Sequence, residues 1–394
     1  MSSPTRLHSQ LMGWLSQQSR YRDKRHLIAL AWMVVGLILS VKLSLPAWES
    51  HVISRAQQAA SLERRWQRFL HNQRIRCKAL YVPLVLAALE RWRGQRLYLA
   101  LDTSLLWNRY CLIHVSVICG GRAVPLLWRV IEHNSASVSV VRYLPLLRLA
   151  QRLLAQAGYE EVMLLADRGF AHQRLLSWLP QQSGWHYALR MPSDELVHTS
   201  GSSPSEIKRL WPAKGEACLY PGVRLWSEGR WRTNLVLANA RGTKEPWAVI
   251  TDEAPSLQTL WQYGYRFRTE ELFLDAKSGA FELEQSQLRS AAALTRLYLV
   301  AAVALLFSTM HGMTVQVAGR RRQVDAHWQR GLSYLKIGLR WLKGVVNKGR
   351  QLFALRPLLS SDPEPCFASK SAAARYYNSL RFSRVDSLCC SSTT

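Results

Sequence analysis

The chain has 394 residues, of which 48% are apolar and 20% charged. This composition is globular and excludes a wholly disordered, collagen-like or coiled-coil chain, and at about 150 residues per domain the length suggests two or three folding units. Lys and Arg number 52 against 26 Asp and Glu, which leaves a formal net charge of +26. The excess predicts an anionic partner, with nucleic acid first and an anionic membrane surface second. An ordinary basic protein is the remaining alternative.

The seven Cys residues form no Cys-x-x-Cys pair, so the sequence predicts neither a zinc ribbon nor a disulfide framework, and it favours a reducing compartment. An apolar run extends from Leu27 to Ser40. It lasts about 14 residues, whereas about 20 span a bilayer, and no small-residue cleavage site follows it. We interpret the run as a buried helix and expect a cytoplasmic protein with no membrane partner.

Residues 1–92 are predicted to be helical. A second helix is expected from about Ile53 to Asn72, with Arg residues along one face. Apolar stripes beside basic faces are typical of a small helical DNA-binding region, although an ordinary solvated face explains any single Arg equally well.

Short apolar runs from about Gln95 predict alternating strands and helices. The predicted elements are a strand ending at Asp102, strands Tyr110 to Cys119 and Ala123 to Val130, a helix with Pro145 in its first turn, a strand from Val162 to Ala166, a helix from Gln173 to Leu179, and a strand from Trp185 to Arg190. This order is found in ribonuclease H-like cores.

The rest of the chain changes character several times. Residues from about 192 to 247 are rich in Gly, Pro and Ser and predict an inserted β-rich subdomain. A helix is expected from Ser256 through Lys277, and a second one, Ala291 to Met310, is expected to be core, because Arg296 within it is unsuited to lipid. A basic helical stretch follows, and about 35 residues at the C-terminus are expected to be frayed or disordered.

We therefore predict an α/β fold: a ribonuclease H-like core with an inserted β-rich subdomain and flanking helical regions. The expected domains are a helical DNA-binding region (1–92), the catalytic domain (93–345), and a basic, then low-complexity tail (346–394).

Six residues are candidates for a catalytic site. Asp102 and Asp167 follow predicted strands, where open α/β sheets collect functional groups, although a single Asp there is often only a cap. Four further side chains fall within an arc of about 60° on the predicted helix: Tyr263, Arg266, Glu270 and Lys277. A salt-bridged surface stripe is the alternative interpretation of that arc.

Three carboxylates, Asp102, Asp167 and Glu270, can hold two Mg²⁺ ions about 4 Å apart for in-line phosphoryl transfer. We expect bound Mg²⁺, rather than Lys or Arg, to neutralise them. Tyr263 and the cations Arg266 and Lys277 can hold phosphates beside the scissile bond, which positions DNA without reading its sequence.

The arrangement resembles the transposases of the IS4 family, whose motif is Tyr, two residues, Arg, three residues, Glu, six residues, Lys. Tyr263, Arg266, Glu270 and Lys277 match every spacing, whereas the rival carboxylate Glu271 would break it. The segments Leu-Ala-Leu-Asp-Thr around Asp102 and Ala-Asp-Arg-Gly-Phe around Asp167 are similar to the contexts of the two aspartates of the family.

This resemblance implies an insertion-sequence transposase that cuts and joins DNA with two Mg²⁺ ions, for which Mn²⁺ can substitute. Its partners would be terminal inverted repeats, target DNA and a second copy of the chain in a synaptic complex, at the nucleoid. Relatives cut the second strand through a hairpin, with a flipped base stacked on a Trp of the insertion. The candidates are Trp211, Trp226, Trp231 and Trp247. The Lys-Glu-Pro-Trp context favours Trp247, with core packing as the alternative.

Two other functions remain open from the sequence. One is a catalytically inactive, sequence-specific DNA-binding protein derived from a transposase, against which the complete carboxylate set argues. The other is a membrane-associated basic protein, which rests only on the run from Leu27 to Ser40.

Overall fold

The computed structural model describes residues 3–19, 21, 23–54, 58–199, 203–269, 286, 288–359, 361, 363, 367 and 369–388. The chain divides into two compact units, each built from three segments. The helical unit comprises Met1–Arg93, Thr103–Ala136 and Arg268–Ala368, and the sheet unit comprises Gly94–Asp102, Ser137–Phe267 and Ser369–Thr394.

The elements are numbered in chain order. The helices are α1 (Ser3–Gln18), α2 (Lys24–Ser40), α3 (Leu45–Trp48), α4 (Ala59–His71), α5 (Cys77–Ala88), α6 (Val140–Gln156), α7 (Gln173–Trp178), α8 (Leu257–Gly264), α9 (Ala291–Val317), α10 (Tyr334–Asn347) and α11 (Lys370–Ser379). The strands are β1 (Leu97–Leu106), β2 (Tyr110–Cys119), β3 (Arg122–Glu132), β4 (Val162–Ala166), β5 (His186–Arg190), β6 (Leu196–His198), β7 (Ser205–Glu206), β8 (Glu216–Leu225), β9 (Trp231–Ala238), β10 (Trp247–Thr251) and β11 (Arg384–Ser387).

The core of the helical unit is α9, a helix of 27 residues that is buried on every side over most of its length. Its length and apolar composition would allow it to cross a membrane, but 83% of its most apolar window is buried inside the protein. Arg296 lies within it and donates hydrogen bonds to the carbonyl oxygens of Leu70 and Ala292. Helix α2 is likewise buried, as predicted for Leu27 to Ser40. These observations are compatible with a soluble protein.

Two glycines allow α9 and α10 to cross in direct backbone contact. A Cβ on Gly312 would collide with the carbonyl oxygen of Tyr334, and a Cβ on Gly338 would collide with that of Ser308. Only glycine, which has no Cβ, avoids these collisions. The close approach of the two helices therefore depends on one glycine in each of them.

The sheet unit carries a mixed, mostly antiparallel sheet, so the protein is of the α/β class. Strand β4 pairs in parallel with β1 on one side and with β5 on the other. Beyond β5 the strand order is β10, β9, β8, β6 and β7, with antiparallel pairing. The strands of residues 192–247 are thus hydrogen bonded to β5 through β10. In the helical unit, β2 and β3 form an antiparallel hairpin.

The structure confirms several predicted elements and corrects others. Strands β2 and β4 have the predicted bounds, but α4 begins at Ala59 rather than near Ile53. Helix α6 begins at Val140, so Pro145 lies inside the helix and not in its first turn. Val140, Tyr143 and Leu144 are buried with the later apolar residues, and this packing outweighs the one backbone hydrogen bond that a proline removes.

The predicted disorder of the C-terminal 35 residues is wrong for their described part, because α11 and β11 are regular. Strand β11 pairs in parallel with β8, from Arg384 opposite Glu216 to Ser387 opposite Leu219. It covers the half of β8 that β6 leaves unpaired, since β6 contacts only Arg224 and Leu225. The order comes from backbone pairing, which the polar sequence of β11 does not signal.

Candidate active site

Asp102 and Asp167 lie side by side at one edge of the paired region of the sheet. The parallel register of β1 and β4 ends with Leu101 opposite Ala166, and each Asp is the next residue. Adjacent strands are about 4.8 Å apart, so the two carboxylates share one small region. The predicted strand end at Asp102 is wrong in detail, because β1 continues to Leu106; only its pairing with β4 ends there.

Helix α8 and the turn after it carry the first half of the Tyr, Arg, Glu, Lys motif, with Tyr263 in the helix and Arg266 in the turn. It begins with a capping box formed by Ser256 and Thr259 and ends at Gly264. The predicted uninterrupted helix from Ser256 through Lys277 is therefore wrong: residues 265–266 form a turn, and residues 267–269 are helical again. Glycine is a weak helix former, which explains the break at this point. Glu270 and Lys277 lie outside the described residues, and their positions remain predictions.

Arg266 forms a buried ion pair with Asp102. Its Nη1 donates to Asp102 Oδ2 over 2.9 Å, and the side chains are only 4% and 14% exposed. The guanidinium also lies 4.8 Å from the ring centroid of Phe267, within the range of a cation–π contact. In this structure Arg266 contacts a predicted catalytic carboxylate, and its predicted contact with DNA phosphate remains untested.

Tyr263 links the same segment to the second aspartate. Its hydroxyl donates to Asp167 Oδ1 over 3.3 Å, and the residue is fully buried. Burial, together with the neighbouring Asp167, raises the pKa of Tyr263 to about 12, although Arg266 opposes the increase. Tyr263 therefore keeps its proton at neutral pH and acts as a hydrogen-bond donor, not as a base.

Arg190 is a site residue that the sequence analysis did not identify. It ends β5, and its Nη1 lies 3.9 Å from Asp167 Oδ1 while its Nη2 lies 3.0 Å from a carboxylate oxygen of Glu245. The side chain is only 10% exposed. The pattern that singles out the two aspartates, a charged residue at the end of an apolar strand, also fits Arg190 and could have identified it from the sequence.

Trp247 packs inside the site. Its ring centroid lies 5.5 Å from that of Tyr263 and 5.5 Å from that of Phe267, and the residue is 9% exposed. These contacts agree with the alternative interpretation of Trp247, in which its ring packs in the core rather than stacks on a flipped base. The other candidates for a flipped base, Trp211, Trp226 and Trp231, are half-buried.

The donor chemistry of the two aspartates fits Mg²⁺, which prefers carboxylate oxygens. Among the described residues no three His, Cys, Asp or Glu side chains are grouped to hold a metal ion, and the third predicted ligand, Glu270, is not among them. From the sequence we expect Mg²⁺ rather than Lys or Arg to neutralise the aspartates, and that expectation stays a prediction, but arginines do lie beside both of them. Arg266 pairs with Asp102, and Arg190 approaches Asp167.

The site thus joins two neighbouring carboxylates with two buried arginines and a buried, protonated tyrosine. No family model matches the sequence, and no curated protein matches it.

Proposed function

We propose that this protein is a DNA transposase of an insertion sequence, with a ribonuclease H-like core that cuts and joins DNA at transposon ends. One observation carries the proposal: Tyr263 and Arg266 contact Asp167 and Asp102, respectively. Two motifs that are about 100 residues or more apart in the sequence thus meet in one buried cluster. A salt-bridged surface stripe, the alternative from the sequence, would leave these side chains exposed.

Asp102 and Asp167, with Glu270, are the residues that would hold Mg²⁺. The metal would activate a water or a 3′ hydroxyl and stabilise the leaving oxygen of the phosphodiester. Arg266 and Arg190 limit the repulsion between neighbouring carboxylates, and the Tyr263 hydroxyl fixes the orientation of Asp167. Because Tyr263 stays protonated, it does not accept the proton of the nucleophile.

The net charge of +26 suits a DNA partner and association with the nucleoid. Joining two transposon ends requires both to be held together, which favours a homodimer on DNA. Lys277 would extend the phosphate contacts of the site, as the resemblance implies.

The test is Mg²⁺-dependent cleavage of a plasmid that carries the coding region with its own flanking DNA. We expect the wild-type protein to cut at the ends of inverted repeats, and Asp102→Asn, Asp167→Asn and Glu270→Gln to abolish cutting. Glu271→Gln is the matched control, because it removes the adjacent carboxylate and should retain activity. Cutting by Glu270→Gln at the wild-type rate would contradict the proposal.

A second candidate is a catalytically inactive DNA-binding protein derived from such an enzyme. It is favoured by the arginine contacts, since Asp102 already has a cation in contact and Asp167 has one nearby. This candidate predicts end-specific binding with no nicking by the wild-type protein in either Mg²⁺ or Mn²⁺. Any nicking that Glu270→Gln abolishes would eliminate it.

A further inference from the structure

The loop between α9 and α10 presents the most exposed of the large apolar side chains in the described part of the chain. Trp328 is 81% exposed. We call residues 320–333 the tryptophan loop; it lies wholly within the helical unit and apart from the aspartate cluster in the sequence. Leaving a large indole in water forgoes the stabilisation that its burial would provide, so the question is what holds it in this position.

A buried carboxylate holds this loop in one conformation. Asp325 is fully buried and accepts hydrogen bonds from the backbone N–H groups of His327, Gly331 and Leu332 at 3.2, 3.0 and 3.4 Å. The His327 ring contacts its Oδ1 at 2.6 Å, and Arg321 donates to its Oδ2 at 3.1 Å. Asp325 thus organises both ends of the segment that carries Trp328.

Arg321 completes this scaffold. Its guanidinium donates to three successive carbonyl oxygens, those of His327, Trp328 and Gln329, over 2.9, 2.7 and 2.9 Å. From α10, Arg340 donates to the carbonyl oxygen of Val324. The backbone beneath Trp328 is therefore fixed by hydrogen bonds, while its side chain is left in solvent.

One cation lies beside the exposed indole, and a second, Arg320, lies in the same loop. The guanidinium of Arg322 lies 5.2 Å from the Trp328 ring centroid, so it covers one part of the ring. Arg320 and Arg322 are exposed, and neither guanidinium has a hydrogen bond or an ion pair with any residue that the structure describes. Residues 320–350 contain nine Lys and Arg, and Asp325 is their only acidic residue. Since that carboxylate is buried, the exposed formal charge of this region is entirely positive.

We propose that the tryptophan loop is a binding site for unpaired bases of DNA, in which Trp328 stacks on a base and Arg320 and Arg322 hold the adjoining phosphates. Aromatic faces interleaved with cations are the usual means of holding single strands without sequence preference. A bilayer surface fits less well, because the residues beside Trp328 are His327 and Gln329 and provide no apolar surface to insert. The residues of this site belong to a different unit from those of the carboxylate cluster, and its role, which rests on the proposed function, is to hold a strand during DNA joining.

The test is equilibrium binding in EDTA to one mixed-sequence oligonucleotide, single-stranded or annealed to its complement, with 2-aminopurine at one position. Trp328→Ala should bind the single strand about 5- to 100-fold more weakly, with less than a twofold change for the duplex. Trp328→Phe keeps an aromatic face and should restore most of the affinity and the 2-aminopurine quenching. Val317→Ala is the control, since Val317 is 65% exposed in the same unit.

The contribution of the arginines is tested separately, by the salt dependence of binding. Arg322→Ala should reduce the slope of log affinity against log salt for the single strand by about 0.7, the value for one lost phosphate contact. The proposal is overturned if Trp328→Ala binds the single strand as the wild type does, or if it loses affinity equally for the duplex. It is also overturned if Trp328→Ala impairs binding only to phosphatidylserine vesicles. Because no metal is present, these outcomes are independent of the cleavage test.

Discussion

Replacing Asp325 by Asn tests whether one buried carboxylate holds the tryptophan loop. The change keeps the size of the side chain but replaces one acceptor oxygen by an amide nitrogen and removes the charge. The wild-type carboxylate receives donors from three backbone N–H groups and from the side chains of Arg321 and His327. An asparagine cannot satisfy all of them.

The expected magnitude follows from the pKa of Asp325. Burial alone would raise this pKa, but the hydrogen bonds from His327, Gly331 and Arg321 outweigh burial and lower it from 3.8 to about 2. The difference corresponds to about 2 kcal/mol in favour of the ordered loop. Because the folded-state pKa is lowered, this stabilisation is present above pH 3.8 and is lost as the pH falls towards 2.

The assay is hydrogen exchange of the Gly331 and Leu332 amides, which donate directly to Asp325 Oδ2. At pH 5 these amides should exchange about 30-fold faster in Asp325→Asn than in the wild type, and the ratio should shrink as the pH approaches 2. Comparing the proteins at equal pH cancels the intrinsic rate. Asp386→Asn, at a half-buried aspartate in the sheet unit, should leave both amides unchanged. Equal exchange at pH 5, or a ratio independent of pH, would refute the role of this carboxylate.

Two further predictions concern packing and charge. Gly338→Ala should destabilise the protein by about 3 kcal/mol, because its Cβ meets the Ser308 backbone, whereas Gly13→Ala, in α1 with no atom within 4 Å of the new Cβ, should stabilise it by about 0.5–1 kcal/mol. The urea concentration at the unfolding midpoint measures both changes in stability. Equal effects of the two substitutions would contradict the close crossing of α9 and α10. Arg266→Met should cost about 3 kcal/mol because it leaves Asp102 without its buried cation. The same change in an Asp102→Asn background should cost much less, and additive effects would argue against the ion pair.

The sequence predicts best those features that depend on local pattern. Strand β4 and the adjacent Asp167 followed from an apolar run with a carboxylate after it, and the burial of α9 followed from its composition and from Arg296. The break at Gly264 was not predicted, because helical spacing was extended across a residue that lowers helix stability by about 1 kcal/mol. The two motif residues beside Gly264, Tyr263 and Arg266, nevertheless contact the predicted aspartates.

Long-range partners were harder to predict. Arg190 was visible as the last residue of a strand, but its role depends on Asp167 and Glu245, which lie far from it in the sequence. Strand β11 is polar, and its order depends on backbone hydrogen bonds to β8 rather than on any apolar pattern. Asp325 stands alone within a basic stretch, and its buried role is not predictable from the sequence because its five donors come from a loop whose path no periodicity encodes.

The interleaving of the two units has a consequence for how the protein folds. The chain passes from one unit to the other after residues 93, 102, 136, 267 and 368, so neither unit is a single continuous segment of the chain. The helical unit must wait for α10, and the sheet unit for β11, before each is complete. Such contacts between distant residues slow folding, and each unit can be completed only after its last segment has been made. Asp102 and Phe267 each end a segment of the sheet unit, so the aspartate cluster combines residues from two separate segments and can form only after both have been made.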